Sequence, residues 1–393
     1  MSQILATSIF SPEPIPLTAP SLPDLDSLCS SLIYAYLTTA TKKQPNNPLI
    51  PLANLPRADL ALRTEAAAVL SHASLKTSDL LTLDDLPSGL SPEGTRWLLV
   101  DHNALTGPLQ KYSERVVGCI DHHADEGTVP RDSDEPRIIE RAGSCMSLVV
   151  NYCRQGWDAL PRSGEEEEEQ DRQLAMVSLG PILADTAGLT AKEKVTLHDQ
   201  RAVDFLEAKL KGYDRTKYYA EIETVKKDVS NLSLRDIFRK DYKEWTEGNL
   251  KLGISSAVQP LQYLLDSKAD GNRDTLIDEL RTWADERELD IVVVMTAFSK
   301  GDRGFARELL VWARGRTEGS AAVQAADFFR EQFCEELQLE TQGEWGLDMT
   351  NGDSEWRKGW KQGNLGASRK QVGPMVREAM KKALGLEDET ADG

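Results

Sequence analysis

Short apolar runs that each end in acidic or polar residues constrain the fold of this chain most strongly. The runs "RWLLVDHN" (96–103) and "RVVGCIDHH" (115–123) both have this form. Continuous apolar runs of this length are typical of buried strands in a parallel sheet. Helical patterns lie around them, as in "DLDSLCSSLIYAYLTTA" (24–40) and "QLAMVSLGPILADTAGL" (173–189). Strands that alternate with helices predict an α/β fold with a doubly wound, mainly parallel sheet in the N-terminal part.

The length of 393 residues favours two domains, each with its own core. Strand patterns return in the second half, in "LKLGISSAV" (250–258) and "DIVVVMTAFS" (290–299), and they predict a second, smaller α/β domain. We expect a first domain over residues 1–205, a linker helix over 206–230 and a C-terminal domain over 231–393.

Composition excludes several classes of function. The chain has a net charge of -18, which opposes nucleic-acid binding, so a polyanionic substrate needs a local basic channel. No run approaches 18 apolar residues, and no Lys or Arg precedes Lys42, so we expect a cytoplasmic protein with no membrane partner. The five cysteines show no CxxC spacing, so neither a disulfide framework nor a structural zinc site is indicated.

Two biased segments carry predictions of their own. The run "PRSGEEEEEQD" (161–171) repels itself and lacks apolar anchors, which favours a solvated insertion over a cation-binding patch. The stretch "SPEPIPLTAPSLP" (11–23) is rich in prolines, which cannot donate to a strand ladder. It therefore predicts against a central first strand.

Acids and histidines stand at or just beyond the ends of the predicted elements, where sites assemble in open α/β sheets. They are Asp24, Asp26, Asp101, Asp121, His122, His123 and Asp185. Carboxylates that converge repel one another unless cations neutralise them. Carboxylate and imidazole ligands suit Mn²⁺, Mg²⁺ or Co²⁺. Two such ions, about 3.5 to 4 Å apart, can hold a hydroxide and direct it at phosphorus, which indicates a phosphoanhydride hydrolase.

Each motif also has a structural interpretation. Asp24 or Asp26 in "DLDS" can act as a helix N-cap, and the "DHH" motif that begins at Asp121 can form a polar turn that closes a buried strand. His72 and His198 lie in polar helical or loop contexts and receive the structural interpretation only.

Four motifs, taken in order, resemble those of the DHH phosphoesterase superfamily. They are "PDLDS" (23–27), "LLVDHN" (98–103), "IDHH" (120–123) and "ILADT" (182–186). In the second half, "RKDYKEW" (239–245) and "SRKQVGP" (368–374) resemble the C-terminal domain that accompanies manganese-dependent inorganic pyrophosphatases and exopolyphosphatases. The resemblance covers residues 22 to 385.

The resemblance implies a site with two divalent ions, Mn²⁺, Mg²⁺ or Co²⁺. Asp24 would bind the first ion, Asp26 the second, and Asp101 would bridge them. His122 and Asp185 would complete the shell of the second ion. Among these, Asp101 and His122 would take part in catalysis directly.

His123 would face the phosphate as a hydrogen-bond donor or acid, and would count as both catalytic and substrate-binding. Asp121 would orient the histidine pair. From the second domain, Lys243, Arg369 and Lys370 would clamp substrate phosphates, which puts the active site between the domains.

Two further segments resemble the exopolyphosphatase branch, which includes prune-type phosphodiesterases. "NLPRADLALRTEA" (54–66) would bring Arg57 and Arg63 near the phosphate entry. "GSCMSLVVNY" (143–152) presents backbone N–H groups at a helix N-terminus, where an anion can bind.

The closest resemblance is to fungal-type exopolyphosphatases, which implies release of terminal phosphate from inorganic polyphosphate. One departure is that Pro20 replaces the family's usual histidine or asparagine four residues before Asp24. Three alternatives therefore stay open: an inorganic pyrophosphatase acting on diphosphate, a catalytically weakened phosphate-binding relative, and a cyclic-nucleotide phosphodiesterase.

Overall fold

The computed structural model describes residues 15–19, 24–41, 48–161, 164–301, 304–315, 320–341, 345–352 and 354–386. The chain divides into two compact units, Met1–Asp228 and Val229–Gly393.

The first unit alternates strands and helices. Its strands are β1 (Ile15–Ala19), β2 (Ile50–Ala53), β3 (Leu81–Thr82), β4 (Thr95–Val100), β5 (Val116–Asp121) and β6 (Arg137–Ile139). Its helices are α1 (Leu25–Thr41), α2 (Arg57–Leu60), α3 (Thr64–Ser71), α4 (Cys145–Asp158), α5 (Glu165–Asp185), α6 (Leu197–Glu207) and α7 (Arg215–Lys227).

The strands of the first unit form one parallel sheet in the order β3-β2-β1-β4-β5-β6. The predicted doubly wound parallel sheet is thus confirmed. The order reverses between β1 and β4, and the crevice at such a switch point is where ligands bind in open α/β sheets.

The prediction against a central first strand is wrong. β1 lies between β2 and β4, and Leu17 is opposite Ile50 on one side and Trp97 on the other. A proline removes a single donor, and the one proline in this strand, Pro16, leaves its neighbours free to pair on both sides. Pro20 lies outside the described residues.

Strand β4, at the centre of the sheet, is buried on both faces, which explains its continuous apolar character. Along β4, Leu98 and Val100 face a core that is shared with α1, α4 and α5, whereas Trp97 and Leu99 face a second apolar cluster. Because successive side chains point to opposite faces, neither face leaves room for polar residues until the strand ends.

The glutamate run is helical rather than irregular, and it is solvated as predicted. α5 begins at Glu165, directly after Gly164, and the glutamates form its first turn. They remain largely exposed, but the positive end of the helix dipole stabilises acidic side chains at this position.

The segment predicted as a linker helix contains α7, which packs within the first unit. Ile222 is fully buried in the core of that unit. The Tyr218 hydroxyl donates a hydrogen bond to the carbonyl of Met176 on α5, at 2.9 Å.

The second unit contains a mixed sheet. Its strands are β7 (Tyr242–Glu247), β8 (Leu250–Ala257), β9 (Ile291–Ser299), β10 (Phe305–Arg314), β11 (Leu339–Thr341), β12 (Met349–Asn351) and β13 (Glu355–Gln362). Its helices are α8 (Leu234–Lys240), α9 (Leu261–Tyr263), α10 (Arg273–Glu286), α11 (Ala321–Phe333) and α12 (Arg369–Leu384).

The order in this sheet is β11-β13-β10-β9-β8-β7, with β12 also on β13. β8 and β9 are parallel, and the other neighbours are antiparallel. One apolar face packs against α11 and α12 in a core of its own. The predicted second α/β domain is confirmed. The C-terminal segment 387–393, expected to be a frayed tail, lies outside the described residues.

None of the helices in the described ranges has the length and apolar composition that spanning a bilayer requires.

Candidate metal centre

The ends of β4 and β5 bring the predicted motifs together. Asp101 follows β4, and its backbone N–H donates to the carbonyl of Ile120 in β5, at 2.9 Å. Asp101 has a φ of 65°, in the left-handed region that a non-glycine residue rarely occupies. Such strain is typical of functional sites, where the surrounding structure holds a side chain in a required direction.

Asp101, His122 and His123 form a compact group whose potential ligand atoms all lie within 4.8 Å of one another. His122 Nδ1 lies 3.0 Å from the carbonyl of Ala142. Because a carbonyl can only accept, Nδ1 carries a proton and Nε2 of the neutral ring presents a lone pair. Nε2 lies 3.3 Å from Oδ1 of Asp101.

The Oδ1 atom of Asp101 is buried and forms no hydrogen bond with the residues that the structure describes. An imidazole lone pair and a carboxylate oxygen that face each other need a proton or a cation between them. The oxygen and nitrogen donors suit a divalent cation. This arrangement therefore fits the metal that the sequence implies.

A hydrogen-bond chain fixes His123. Its Nδ1 donates to Oδ1 of Asp121 at 2.8 Å, and its backbone N–H donates to the same oxygen at 3.1 Å. The other oxygen of Asp121 accepts from Asn103 Nδ2 at 2.6 Å. Asp121 and Asn103 are buried, whereas half of the His123 side chain is exposed. The Nε2 atom of His123 is thus free to meet a ligand.

His102 lies against this histidine pair. Its ring stacks on His123 with centroids 5.2 Å apart. Burial, together with the charge of His123, lowers the pKa of His102 to about 4. The His102 ring is therefore uncharged at neutral pH and packs against His123.

Asp26 is held by the N-terminus of α4. One carboxylate oxygen accepts from the Cys145 N–H at 2.6 Å, and the other accepts from the Met146 N–H and the Ser144 hydroxyl at 3.0 Å. Ser30 also donates to Asp26, at 3.0 Å. Free N–H groups and the helix dipole favour an anion at this position, so α4 keeps this buried acid in place.

Asp24 acts as a cap, as the structural interpretation of "DLDS" expects. Its carboxylate accepts from the Ser27 N–H at 3.1 Å, which caps α1. The side chain of Ser27 donates to Oδ2 of Asp101, so the same turn also contacts the compact group. Asp24 is exposed.

Asp185 is the last residue of α5, and the charges of the other acids affect its pKa. Burial, then the charges of Asp26, Asp24 and Asp101, raises the pKa of Asp185 well above its usual value. Burial and the charge of Asp24 likewise raise the pKa of Asp26. Burial and the charge of Asp26 raise the pKa of Asp101 to about 7. The negative charges of these acids repel one another unless a cation is present. Asp24, Asp26 and Asp185 are not part of the compact group with the histidines.

The predicted anion site at residues 143–152 is already filled by the protein's own acids, so that prediction is wrong. Asp199 accepts from the N–H groups of Gly143 and Ser144 at 2.9 and 3.2 Å. Asp26 takes the next two N–H groups of α4.

The predicted phosphate-binding cations of the second unit lie at one edge of its sheet. Lys243 is exposed near the start of β7. Arg369 begins α12, and its Nη2 lies 2.7 Å from Oδ1 of Asp241, directly before β7. Lys370 is exposed beside it.

Arg57 and Arg63 have local contacts in the first unit. Arg57 pairs with Asp85 at 2.5 Å and donates to the carbonyl of Leu80 at 3.0 Å, so a carboxylate already matches its charge. Arg63 directly precedes α3. His72 and His198 pair with Glu221 and Glu140, as their structural interpretation expects.

Sequence reasoning missed the residues that orient the predicted ligands. Three of them donate hydrogen bonds to predicted acids: Ser27 to Asp101, Asn103 to Asp121 and Ser144 to Asp26. The fourth, Asp199, accepts from the backbone directly before α4. Ser27 and Asn103 stand inside "DLDS" and "DHN", so their place in the motifs was an available signal. Asp199 has a local partner in Thr196, but its contacts with Gly143 and Ser144 join positions more than fifty residues apart and left no signal in the sequence.

The family follows from comparison with known proteins. The chain matches the DHH family, N-terminal domain, over residues 17–180 and the DHHA2 domain over residues 220–379. A "Putative exopolyphosphatase" of Schizosaccharomyces pombe is 33% identical over 365 residues, which cover 91% of this chain and 89% of that protein. The chain therefore belongs to the DHH family, with a DHHA2 domain in its second unit.

Within the family, the human protein "Exopolyphosphatase PRUNE1" is 26% identical, covering 91% of this chain and 73% of the human one. The "Manganese-dependent inorganic pyrophosphatase" of Methanothrix thermoacetophila is 23% identical, covering 70% of this chain and 78% of that protein. A solved structure, described as "Methanococcus jannaschii putative family II inorganic pyrophosphatase", has a TM-score of 0.52, 18% identity and coverage of 93% of this chain and 99% of its own. It shares the fold.

Proposed function

We propose that this chain is a metal-dependent hydrolase of phosphoanhydride bonds that releases terminal phosphate from inorganic polyphosphate. The observation that carries this proposal is the unsatisfied Oδ1 of Asp101, which faces Nε2 of His122 at 3.3 Å. The names of the family relatives, exopolyphosphatase and manganese-dependent inorganic pyrophosphatase, support the same reaction class.

Five residues are proposed to hold two divalent ions: Asp24, Asp26, Asp101, His122 and Asp185. When bound, such ions withdraw charge from phosphate oxygens and lower the pKa of a water molecule, which supplies a nucleophile at neutral pH. The raised pKa values of the acids support a cation at this position, because a positive ion relieves their mutual repulsion.

His123 is proposed to act on the substrate. Asp121 holds its Nδ1 proton at 2.8 Å and raises the pKa of His123, so the ring can carry a second proton on Nε2. Water attacks the terminal phosphorus, the bond to the bridging oxygen breaks, and the departing oxygen receives a proton from His123.

Cations are proposed to bind the remaining phosphate oxygens. Lys243 and Lys370 are exposed and have no ion-pair partner among the described residues. Arg369 presents a planar donor group, which suits bidentate contact with phosphate. Arg57 and Arg63 are proposed to add positive charge near the phosphate entry, although Asp85 shares the charge of Arg57 as Asp241 shares that of Arg369.

The test is phosphate release from long polyphosphate by purified protein with Mg²⁺, Mn²⁺ or Co²⁺. We expect Asp101→Asn to lower kcat/KM by on the order of 100-fold or more, since a direct ligand matters at least as much as its supporting contacts. Asp132→Asn, an exposed acid in the loop before β6, is the matched control and should leave activity unchanged. Absence of release by the native protein with all three metals would reject the proposal.

Inorganic pyrophosphatase activity is the second candidate, favoured by the relative named manganese-dependent inorganic pyrophosphatase. Diphosphate and long-chain substrate assayed side by side separate the two. A higher kcat/KM for diphosphate than for long polyphosphate would indicate a pyrophosphatase, because a site that fits diphosphate makes no additional contacts with a longer chain. The number of metal ions bound per chain tests the third alternative, a catalytically weakened phosphate-binding protein. Such a protein would bind fewer than two ions.

A further inference from the structure

Arg307 lies on the same face of the second-unit sheet as the proposed phosphate-binding Lys243. In the strand register, Arg307 is opposite Ala297, and Lys243 is opposite Ile254. Directly opposite residues share a face, and side chains alternate along a strand. Leu309 and Ile254 belong to the core under α11 and α12, so Arg307 and Lys243 both project from that face.

Both cations also stand at the same edge of the sheet. β7 and β10 begin at this edge, whereas β8 and β9 end there. β10 and β7 are separated by β9 and β8, so Arg307 and Lys243 are three interstrand spacings apart across the sheet. The register also offsets them by four residues along the strands, because Arg307 is level with Ala297 of β9 and Lys243 is level with Val293. Their separation is therefore about 20 Å.

The loop between β13 and α12 runs along this edge from one cation to the next. Arg307 Nε donates to the carbonyl of Leu365 at 2.9 Å. Four residues later, Arg369 contacts Asp241 beside the start of β7. Arg307, Arg369 and Lys243 therefore follow one another across the edge.

The charge of Arg307 is unmatched in the described part of the chain. It forms no ion pair with any described carboxylate, whereas Arg57, Arg314 and Arg369 each have one. Its guanidinium is half-buried and lies 5.0 Å from the ring centroid of Phe305. Partial burial of an unpaired cation costs free energy, which a bound anion restores. Such a cation is notable in a chain with a net charge of -18.

We infer that Arg307 binds a distal phosphate of a linear polyphosphate whose nearer phosphates lie at Lys243 and Arg369, and that it thereby sets a preference for long chains. The inference rests on the proposed function. A diphosphate is far shorter than the separation of about 20 Å between Arg307 and Lys243, so only longer chains can reach Arg307 while they occupy the other cations.

A purely structural role for Arg307 makes a different prediction. If Arg307 only braced the loop through Leu365, its removal would disturb Arg369 as well. Short and long substrates would then lose affinity together. Chain-length dependence separates the two roles.

The experiment compares Arg307→Gln with Lys382→Gln in the full chain. Lys382 lies in the last turn of α12, about 20 Å along the helix from Arg369, and its loss removes the same unit of charge. For Arg307→Gln, we expect KM for long polyphosphate to rise about tenfold, as for one lost charge-assisted contact. We expect kcat and the KM for tripolyphosphate to stay within twofold. Arg307→Lys should restore part of the affinity.

Equal changes for both substrates, or no change for either, would overturn the inference. Equilibrium titration with long polyphosphate in EDTA keeps the inference separable from the proposed function, because it needs no turnover. Weaker binding by Arg307→Gln than by Lys382→Gln supports the site even if the native protein hydrolyses nothing. Equal binding by the two variants rejects it.

Discussion

At the scale of single residues, the pair Asp101 and His122 connects folding with metal binding. Burial alone would keep His122 neutral, but its contact with Asp101 and the charge of Asp26 raise the pKa of His122 to about 10. The pKa of Asp101 is raised to about 7. A proton therefore occupies the position that a divalent ion would take, and the two compete.

This competition predicts how the stability of the metal-free protein depends on pH. Both pKa values are higher in the folded state than their usual values of 3.8 and 6.5, so the folded state binds the extra protons. The free energy of unfolding contributed by this pair should fall as pH rises from about 4 to about 10. Asp101→Asn should flatten the part between about pH 4 and 7, in urea unfolding with EDTA.

Saturating Mn²⁺ should oppose this dependence, because metal binding strengthens as protons leave. Identical pH profiles for the native protein and Asp101→Asn in EDTA would contradict the assignment of a raised pKa to Asp101. Asp132→Asn again serves as the control for removing one carboxylate.

At the scale of elements, the N-terminus of α4 organises the candidate site. Two buried acids, Asp26 and Asp199, take its free N–H groups, and so the helix is fixed against α1 and α6. Asp199 also accepts from the Thr196 N–H at 2.7 Å and from the Ser147 hydroxyl at 2.7 Å. Every lone pair of Asp199 has a donor nearby.

Asp199→Asn should therefore be strongly destabilising. The amide group would direct N–H donors at other donors, and we expect a loss of about 3 kcal/mol in the free energy of unfolding. Urea denaturation measures it, with Asp204→Asn, exposed on the same helix, as the control. A loss below about 0.5 kcal/mol is typical of a surface substitution. It would show that the hydrogen bonds of Asp199 to Gly143 and Ser144 do not stabilise the start of α4.

At the scale of the whole molecule, each unit has its own hydrophobic core. The clusters of the first unit and the cluster under α11 and α12 share no residues. A segment with its own core can fold alone. The metal ligands proposed here all belong to the first unit.

Separate expression of residues 1–228 and 229–393 tests this division. Both should unfold cooperatively in thermal melts followed by circular dichroism. Mn²⁺ at 100 times its Kd should stabilise 1–228 by about 2.7 kcal/mol and leave 229–393 unchanged. An equal shift in both would place a metal site in the second unit, against the proposal.

The sequence by itself determined the parallel sheet and the polar ends of its strands. Apolar runs such as that before Asp101 must be buried on both faces, and the carboxyl ends of adjacent parallel strands must meet at one edge. This local logic predicted that Asp101 and His122 would lie together.

Only the tertiary structure determined the position of β1 in the sheet and the contacts that hold Asp26. The central position of β1 depends on pairing with β2 and β4, which outweighs the one donor lost at Pro16. Asp26 is held by α4, and the contact joins positions 119 residues apart. Such contacts leave no periodic signal along the chain, because they arise only when the fold brings a distant donor to a buried charge that needs one.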